Sequence, residues 1–543
     1  MAPAAAPGSA PSPRRGRPSS AAFGWLLALI SFLAGAAVMV VEIGGARYLS
    51  PLYGNSIYTW TSIIGVVLIA MGAGAHFGGR WADQWVGSTR LGWLLALAAL
   101  TVAVIPALNV LAAAMLGGLG LISGPLMYCL LVFTAPGFLL GAVSPVCVRL
   151  LSRESNDAHV GASAGTINMA GMIGSFIGTF AGGFILLSLL DLRLIMVGTA
   201  IVLATLAVVA WRMDSGRSAT ASTATSMRFL GVIGAAIILS FAVQPAPAEN
   251  VIHEEHTYYH RVRVEQTDGW RGPVRFLKLD STMEGGMWVE GAVDPLPLPY
   301  QNYWKLALGR EDFQVDRALF IGAGAFGMPA AVASQWPDSH IDVVEIDPAV
   351  VRAGHDYFRL GEFPQIRPHA TDGRRFLRQS DGDYDLIFGD AYQGVRSIPA
   401  HLVTREFFEL VRDRLSADGL FMMNVITALE GDGSMLLAAL LRTMGEVFPH
   451  IDVYSPLLDV RPSPAGGHGI RPRQLSVVAN VILVASMEPV DDLQRSQFHN
   501  GQQTVRARHQ RVPDEWRPAL DDAPVMTDWR NPVDAIIARQ LLR

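Results

Sequence analysis

Arg317-Ala318-Leu319-Phe320-Ile321-Gly322-Ala323-Gly324-Ala325-Phe326-Gly327 is followed, after a helix-length interval, by Ile341-Asp342-Val343-Val344-Glu345-Ile346-Asp347. The first five residues are a buried-strand run, four of them apolar. Gly322, Gly324 and Gly327 then form a G-x-G-x-x-G turn, and a helix is expected over roughly 328–335. Glycines let the backbone turn sharply and approach a ligand, while the helix N-terminus presents free N–H groups. Glu345 closes the second run, where an acid accepts hydrogen bonds from both hydroxyls of a ribose. The glycine pattern alone is also met as a structural turn. Strand, turn, helix and acid together point to a nucleoside-binding β-α-β unit.

Downstream the pattern continues. Ala370-Thr371-Asp372-Gly373 precedes a helix over Arg374–Gln379. Asp372 either accepts from an adenine amino group or caps that helix. Tyr384-Asp385-Leu386-Ile387-Phe388-Gly389-Asp390-Ala391-Tyr392 is an apolar strand ending in Asp390. Ligands of open α/β sheets bind beyond the carboxyl ends of strands, so Asp390 is placed to accept a proton from an attacking amine or hydroxyl; otherwise it is a loop acid holding a turn. Helix 404–414, strand Leu420–Val425, helix Met435–Val447 and strand Leu475–Ala485 extend a doubly wound sheet, with Arg461–Arg473 an exposed loop. Upstream, Val262, Val264 and Phe276–Leu279 flank Gly269-Trp270-Arg271-Gly272, the signature of a small β-hairpin region.

The N-terminal half has a different composition. The 543 residues are 51% hydrophobic and only 16% charged, with a mean hydropathy of +0.32. That balance excludes a wholly soluble or disordered chain. The net charge of −5 offers no footprint for nucleic acid. Long apolar runs at about 23–43, 58–79, 91–115, 121–150, 160–187 and 191–211 match the ~20 residues that a hydrocarbon core requires. A seventh, shorter run at about 229–244 is short enough to lie in the interface. Gly171, Gly174, Gly178, Gly182 and Gly183 suit close helix packing in lipid, and Pro136 and Pro145 are expected to kink the fourth run. Glu42 is either a functional acid at membrane depth or a solvated helix end.

Arg14, Arg15, Arg17, Arg80, Arg90, Arg149, Arg153, Arg212, Arg217 and Arg228 fall on one side of these runs, against Arg47 and Arg193 on the other. The N-terminus is therefore expected in the cytoplasm of a multi-pass inner-membrane protein. Seven spans would place the C-terminal half outside, and an interfacial seventh run would keep it inside. The expected domains are a disordered tail at 1–20, a membrane domain of about seven helices at 21–248, a small β domain at 249–300, a Rossmann-like domain at 301–486 and a polar tail at 487–543.

Several segments together resemble spermidine synthase, the polyamine aminopropyltransferase. They are Tyr259–Val264 with Leu279-Asp280, Ile321–Gly327, Val344–Pro348, Asp372-Gly373, and Tyr384–Asp390 followed by Ile398–Phe408. The whole chain resembles the bacterial subgroup that carries such a domain behind a facilitator-like membrane domain, and Gly78–Asp83 resembles a facilitator loop. The resemblance implies a class I methyltransferase-like fold that uses decarboxylated S-adenosylmethionine as co-substrate and alkylates an amine. Carried over, Asp390 is the base, and Gly322, Gly324, Gly327, Glu345, Asp372 and Gly373 hold the nucleoside. Tyr259, Glu284, Tyr300, Tyr392 and Gln393 lie in the substrate region. The chain departs from the family at Ala325, where an amine-binding Asp stands, at Glu284 for a Gln, at Gln301-Asn302 for His-Glu, and at Gln393 for an acid.

Three readings follow: an aminopropyltransferase, an S-adenosylmethionine-dependent methyltransferase on the same scaffold, and a non-enzymatic transporter or sensor with a nucleoside- or polyamine-binding domain. The partners expected are a small amine and the bilayer, with no nucleic acid and homo-oligomerisation left open. His253, His256 and His260, without cysteine partners, read as solvated surface residues rather than metal ligands. Cys129 and Cys147 read as small buried hydrophobes.

Overall fold

The computed structural model describes residues 20–54, 57–84, 87–120, 122–154, 160–213, 219–243, 250–280, 282–310, 313–392, 397–455, 461–462, 468–469, 476–490 and 510–541. The N-terminal tail, Gln393 and most of the loop 461–473 lie outside them. The chain divides into two units near residue 245, the second also taking in Leu49–Trp60 and Gly117–Pro125.

The first unit is helical: α1 (Ser20–Tyr53), α2 (Ile57–Gln84), α3 (Ser88–Leu116), α4 (Ser123–Gly141), α5 (Val143–Glu154), α6 (Val160–Phe180), α7 (Leu192–Arg212) and α8 (Ala219–Ala242). A π-helical turn, Ala181–Leu186, continues α6. Among the described residues, six helical stretches are long and apolar enough to cross a membrane. The fourth breaks at Ala142, three residues before Pro145; the ring removes the N–H that Gly141 would have bonded. Pro136, by contrast, sits inside α4. The glycines of the fifth run do bring backbones together. A side chain at Gly174 would strike the Phe32 carbonyl, and one at Gly178 the Ala36 Cα at 2.7 Å, so α1 and α6 meet almost backbone to backbone. In the last turn of α2, Asp83 pairs with Arg149 at 3.2 Å.

The second unit begins with an antiparallel sheet in sequential order: β1 (Val251–His256), β2 (Arg261–Gly269), β3 (Gly272–Leu279) and β4 (Thr282–Trp288). Trp270 and Arg271 form the tip between the Gly269–Gly272 pair, as the sequence implied.

The larger sheet contains β5 (Arg317–Ile321), β6 (His340–Glu345), β7 (Ile366–Ala370), β8 (Tyr384–Gly389), β9 (Leu415–Thr427), β10 (His450–Ser455), β11 (Ala479–Ser486) and β12 (Gln510–Arg511). Its order is β12-β10-β11-β9-β8-β5-β6-β7. β5 to β9 are parallel, and β11 and β10 join antiparallel, which is the methyltransferase-like Rossmann arrangement. The order reverses between β5 and β8, so a crevice opens there at the strand ends. Helices α9 (Gly327–Gln335), α10 (Pro348–Tyr357), α11 (Gly373–Gln379), α12 (Arg405–Arg412) and α13 (Met435–Gly445) cover the faces. One core gathers Phe320, Val343, Trp304 and Ala330, the other Leu319, Ile387, Phe408 and Leu437.

Two expectations change here. The segment set apart as a polar tail contributes β12 and a final helix, α14 (Val533–Leu541), and buries Val512, Met526, Val533 and Ile537 in the second core. Arg374 anchors it through a two-pronged bond to Asp528, at 2.6 and 2.7 Å. The histidines lie on β1 and just before β2, and His260 is buried rather than solvated, its Nδ1 3.7 Å from Asp347. Among the described residues no cluster of His, Cys, Asp or Glu could hold a metal.

Candidate functional site

The glycine turn is built by backbone conformations that side chains resist. Gly322 has φ +98° and Gly324 φ +48°. A Cβ on Gly322 would strike the Asp390 carbonyl group, and one on Gly324 would lie 2.7 Å from the Glu284 carbonyl oxygen. The turn thus packs tightly between the end of β8 and β4, and this close approach sets two acids beside it. Asp390 N–H donates to the Ile321 carbonyl (2.8 Å), fixing where β8 ends.

Five carboxylates, those of Asp280, Glu284, Glu345, Asp372 and Asp390, line the resulting cavity, whose volume is about 280 Å³. Glu345, buried at the end of β6, accepts from the N–H groups of Ala323 (3.2 Å) and Asp347 (2.9 Å). Burial raises its pKa, against those two bonds. Asp347 in turn caps α10 through Ala349 N–H (3.0 Å) and accepts from the Thr257 hydroxyl, tying the small sheet to the large one. Asp372 caps α11 with one oxygen, accepting from Arg375 N–H (2.8 Å), and meets His401 Nε2 with the other (2.7 Å). A Cβ at Gly373 would lie 2.5 Å from Ile321 Cγ2, which explains the glycine.

Asp390 accepts from the Asn424 amide (2.7 Å), whose oxygen accepts from Asn480 (3.1 Å). Burial pushes its pKa up to about 7, with the Asn424 bond opposing. Glu284 also lines the cavity; burial raises it to about 8, helped by Asp390, Glu345 and Asp280. Tyr300 donates to the Glu284 carbonyl oxygen (2.7 Å). The Tyr392 hydroxyl donates to the Asn424 carbonyl and accepts from Ile426 N–H, each at 3.0 Å. Among the described residues no Lys or Arg lines this space, which leaves its carboxylates to face a cationic ligand.

The sequence-derived residues therefore largely converge. Gly322, Gly324, Glu345, Asp372, Gly373, Asp390, Tyr259, Glu284 and Tyr392 all line the cavity. Gly327 does not; it starts α9, where a side chain would crowd Gln301 and Gly286. Tyr300 acts from behind, through Glu284. Sequence reading passed over His401 as a cavity residue, and also Asn424 and Asn480. A detectable signal existed for the asparagines: each is a lone amide inside an apolar strand, and a buried polar group needs a partner.

A methyltransferase-like sheet with an acidic, nucleoside-sized cavity at its switch point defines the class of the second unit. Residues 314–459 match the model of the spermine/spermidine synthase domain, so this unit carries a polyamine aminopropyltransferase-family domain, a transferase domain. A polyamine aminopropyltransferase of Vibrio vulnificus is 36% identical over 115 residues, covering 21% of this chain and 38% of that protein. Polyamine aminopropyltransferase 1 of Streptomyces coelicolor is 26% identical over 436 residues, 74% of this chain and 75% of that one. The eEF1A lysine and N-terminal methyltransferase of Mus musculus is 28% identical over 117 residues, 20% of this chain and 17% of that protein. The first curated relatives it matches are thus spanned over about a third of their length, 38% and 29%.

Proposed function

We propose that this protein is a membrane-anchored aminopropyltransferase that uses decarboxylated S-adenosylmethionine to alkylate an amine. The observation that carries the reading is Asp390, held by Asn424 beside the glycine turn, in the same cavity as Glu345. In this reading Glu345 holds the ribose and the Asp372–His401 pair faces the base. The amine nitrogen attacks the propyl carbon bonded to the sulfonium; the C–S bond breaks and its electron pair returns to sulfur, leaving methylthioadenosine. The proton released from the alkylated amine passes to Asp390, whose raised pKa suits a base working near neutrality. The rest of the rate would come from holding nitrogen, carbon and sulfur in line.

Glu284 is the acid nearest the turn on the β4 side, with Ala325 where the family carries an Asp. We assign it to the terminal ammonium of the aminopropyl group. A carboxylate there attracts that cation and repels the extra carboxylate of S-adenosylmethionine, which selects the decarboxylated donor. A methyltransferase is the second reading, favoured by Ala325 and by the similarity to the mouse enzyme.

The deciding experiment offers the detergent-purified protein both sulfonium donors with a panel of amines and reads the products by mass spectrometry. Methylthioadenosine from the decarboxylated donor, absent in Asp390→Asn, is the expected result. S-adenosylhomocysteine from the ordinary donor would replace this reading with methyl transfer.

A further inference from the structure

We infer that α8 is a seventh membrane span, so that the C-terminal unit lies on the membrane face opposite the N-terminus, the extracytoplasmic face. The sequence left this open, because the apolar run at 229–244 measures only about 24 Å as a helix. The helix that forms is longer, 24 residues from Ala219 to Ala242; its apolar part, Ser226–Ala242, measures about 26 Å, close to a hydrocarbon core of about 30 Å, with the polar first turns and Arg228 at the N-terminal-side boundary.

Its contacts show that it runs the length of its neighbours. Trp93, near the start of α3, meets Trp211, at the end of α7, with ring centroids 5.1 Å apart. Those two helices are therefore antiparallel, with these ends together. Trp93 also meets Phe229 of α8 at 5.2 Å. Near the other end of α7, the Arg193 guanidinium lies 5.5 Å from the Phe241 ring, in the last turn of α8. One unbroken helix thus reaches from the end of α7 back to its beginning. A helix lying in the interface would touch one end only, and a re-entrant hairpin would need a turn that Ala219–Ala242 lacks.

Parity then follows from chain connectivity alone. α1, α2, α3, α4 with α5, α6 with its continuation, and α7 make six crossings, and α8 makes the seventh. The arginines Arg80, Arg90, Arg149, Arg153, Arg212, Arg217 and Arg228 fall beside the ends that share the N-terminal side, and only Arg47 and Arg193 beside the others. Positive charge is retained in the cytoplasm, so the C-terminal end of α8 lies at the outer side. A sulfonium donor is a permanent cation, costly to move through hydrocarbon. The class of step that must supply a donor made inside is therefore carrier-mediated translocation.

The inference does not depend on aminopropyl transfer, and its test needs no activity. In full-length protein, Trp529→Cys and Trp270→Cys, at positions 97% and 70% exposed, report the C-terminal unit, and Ser9→Cys reports the N-terminus. Cys129 and Cys147 are buried and stay silent. Intact spheroplasts are treated with a membrane-impermeant maleimide, then permeabilised and treated again. The expected result is labelling of both tryptophan replacements before permeabilisation and of Ser9→Cys only after it. The same accessibility at both ends of the chain, whichever it is, overturns the proposal, because it requires an even number of crossings.

Discussion

Asp390 owes its chemistry to being buried with one neutral donor, the Asn424 amide, rather than with a cation. Its carboxyl is raised to about 7, so transfer should rise with pH through that region as the base ionises. Asp390→Asn should cost roughly 10²–10⁴ in turnover, the usual contribution of a positioned base, while methylthioadenosine still binds. Asn424→Leu removes the bond that favours the charged form, so the rising limb of the pH–rate profile should move to higher pH; an unshifted profile would show that Asn424 does not hold the base. At Glu284, Glu284→Gln should weaken the decarboxylated donor by tenfold or more in calorimetry, leave methylthioadenosine affinity unchanged and relax discrimination against S-adenosylmethionine. Equal loss for all three nucleosides would instead mean that Glu284 only shapes the turn.

At the scale of elements, the β5–α9 turn and the C-terminal segment carry the site. Gly322→Ala imposes a side chain on φ +98° and into the Asp390 carbonyl, so it should destabilise the domain by about 1–3 kcal/mol and lower activity together. Asp528→Ala strips the buried Arg374 of its carboxylate. Arg374 also donates to the His401 carbonyl (3.3 Å), and Thr404 to Asp528 (2.9 Å), so the loss reaches the cavity wall. A drop of about 1–3 kcal/mol in thermal stability is expected, with weaker nucleoside binding. The parallel strands, the glycine turn and the cap at Asp372 were legible, because apolar runs and capping residues are local signals. The docking of α14 was not: its partners lie across the fold in α13 and the turn Asp432–Ser434 before it, and a short amphipathic segment does not name the surface it will cover.

Over the whole molecule, the acidic cavity makes ligand-free stability fall with pH. Burial raises Asp390 to about 7 and Glu284 to about 8, above the ordinary carboxyl range. The folded state therefore holds protons that the unfolded chain has released, and the unfolding free energy declines from about pH 4 until both acids ionise near pH 8. The melting temperature should be lower at pH 9 than at pH 6, and the Asp390→Asn, Glu284→Gln double variant should lose most of that difference. A cationic ligand should restore stability most strongly at the alkaline end.

The sequence by itself determined that two unlike domains share this chain, that one is made for lipid, and that the other is a nucleoside-type α/β domain with Glu345, Asp372 and Asp390 at its strand ends. Those conclusions rest on periodicity and on turn chemistry, which act within a few residues. Only the tertiary structure decided what each acid has for neighbours. It set Glu284 against the glycine turn, hung Asp390 from Asn424 and Asn480, paired Asp372 with His401, and ran α8 the length of α7. Each of those partnerships joins residues distant in sequence, and burial and hydrogen bonding are properties of the packed chain.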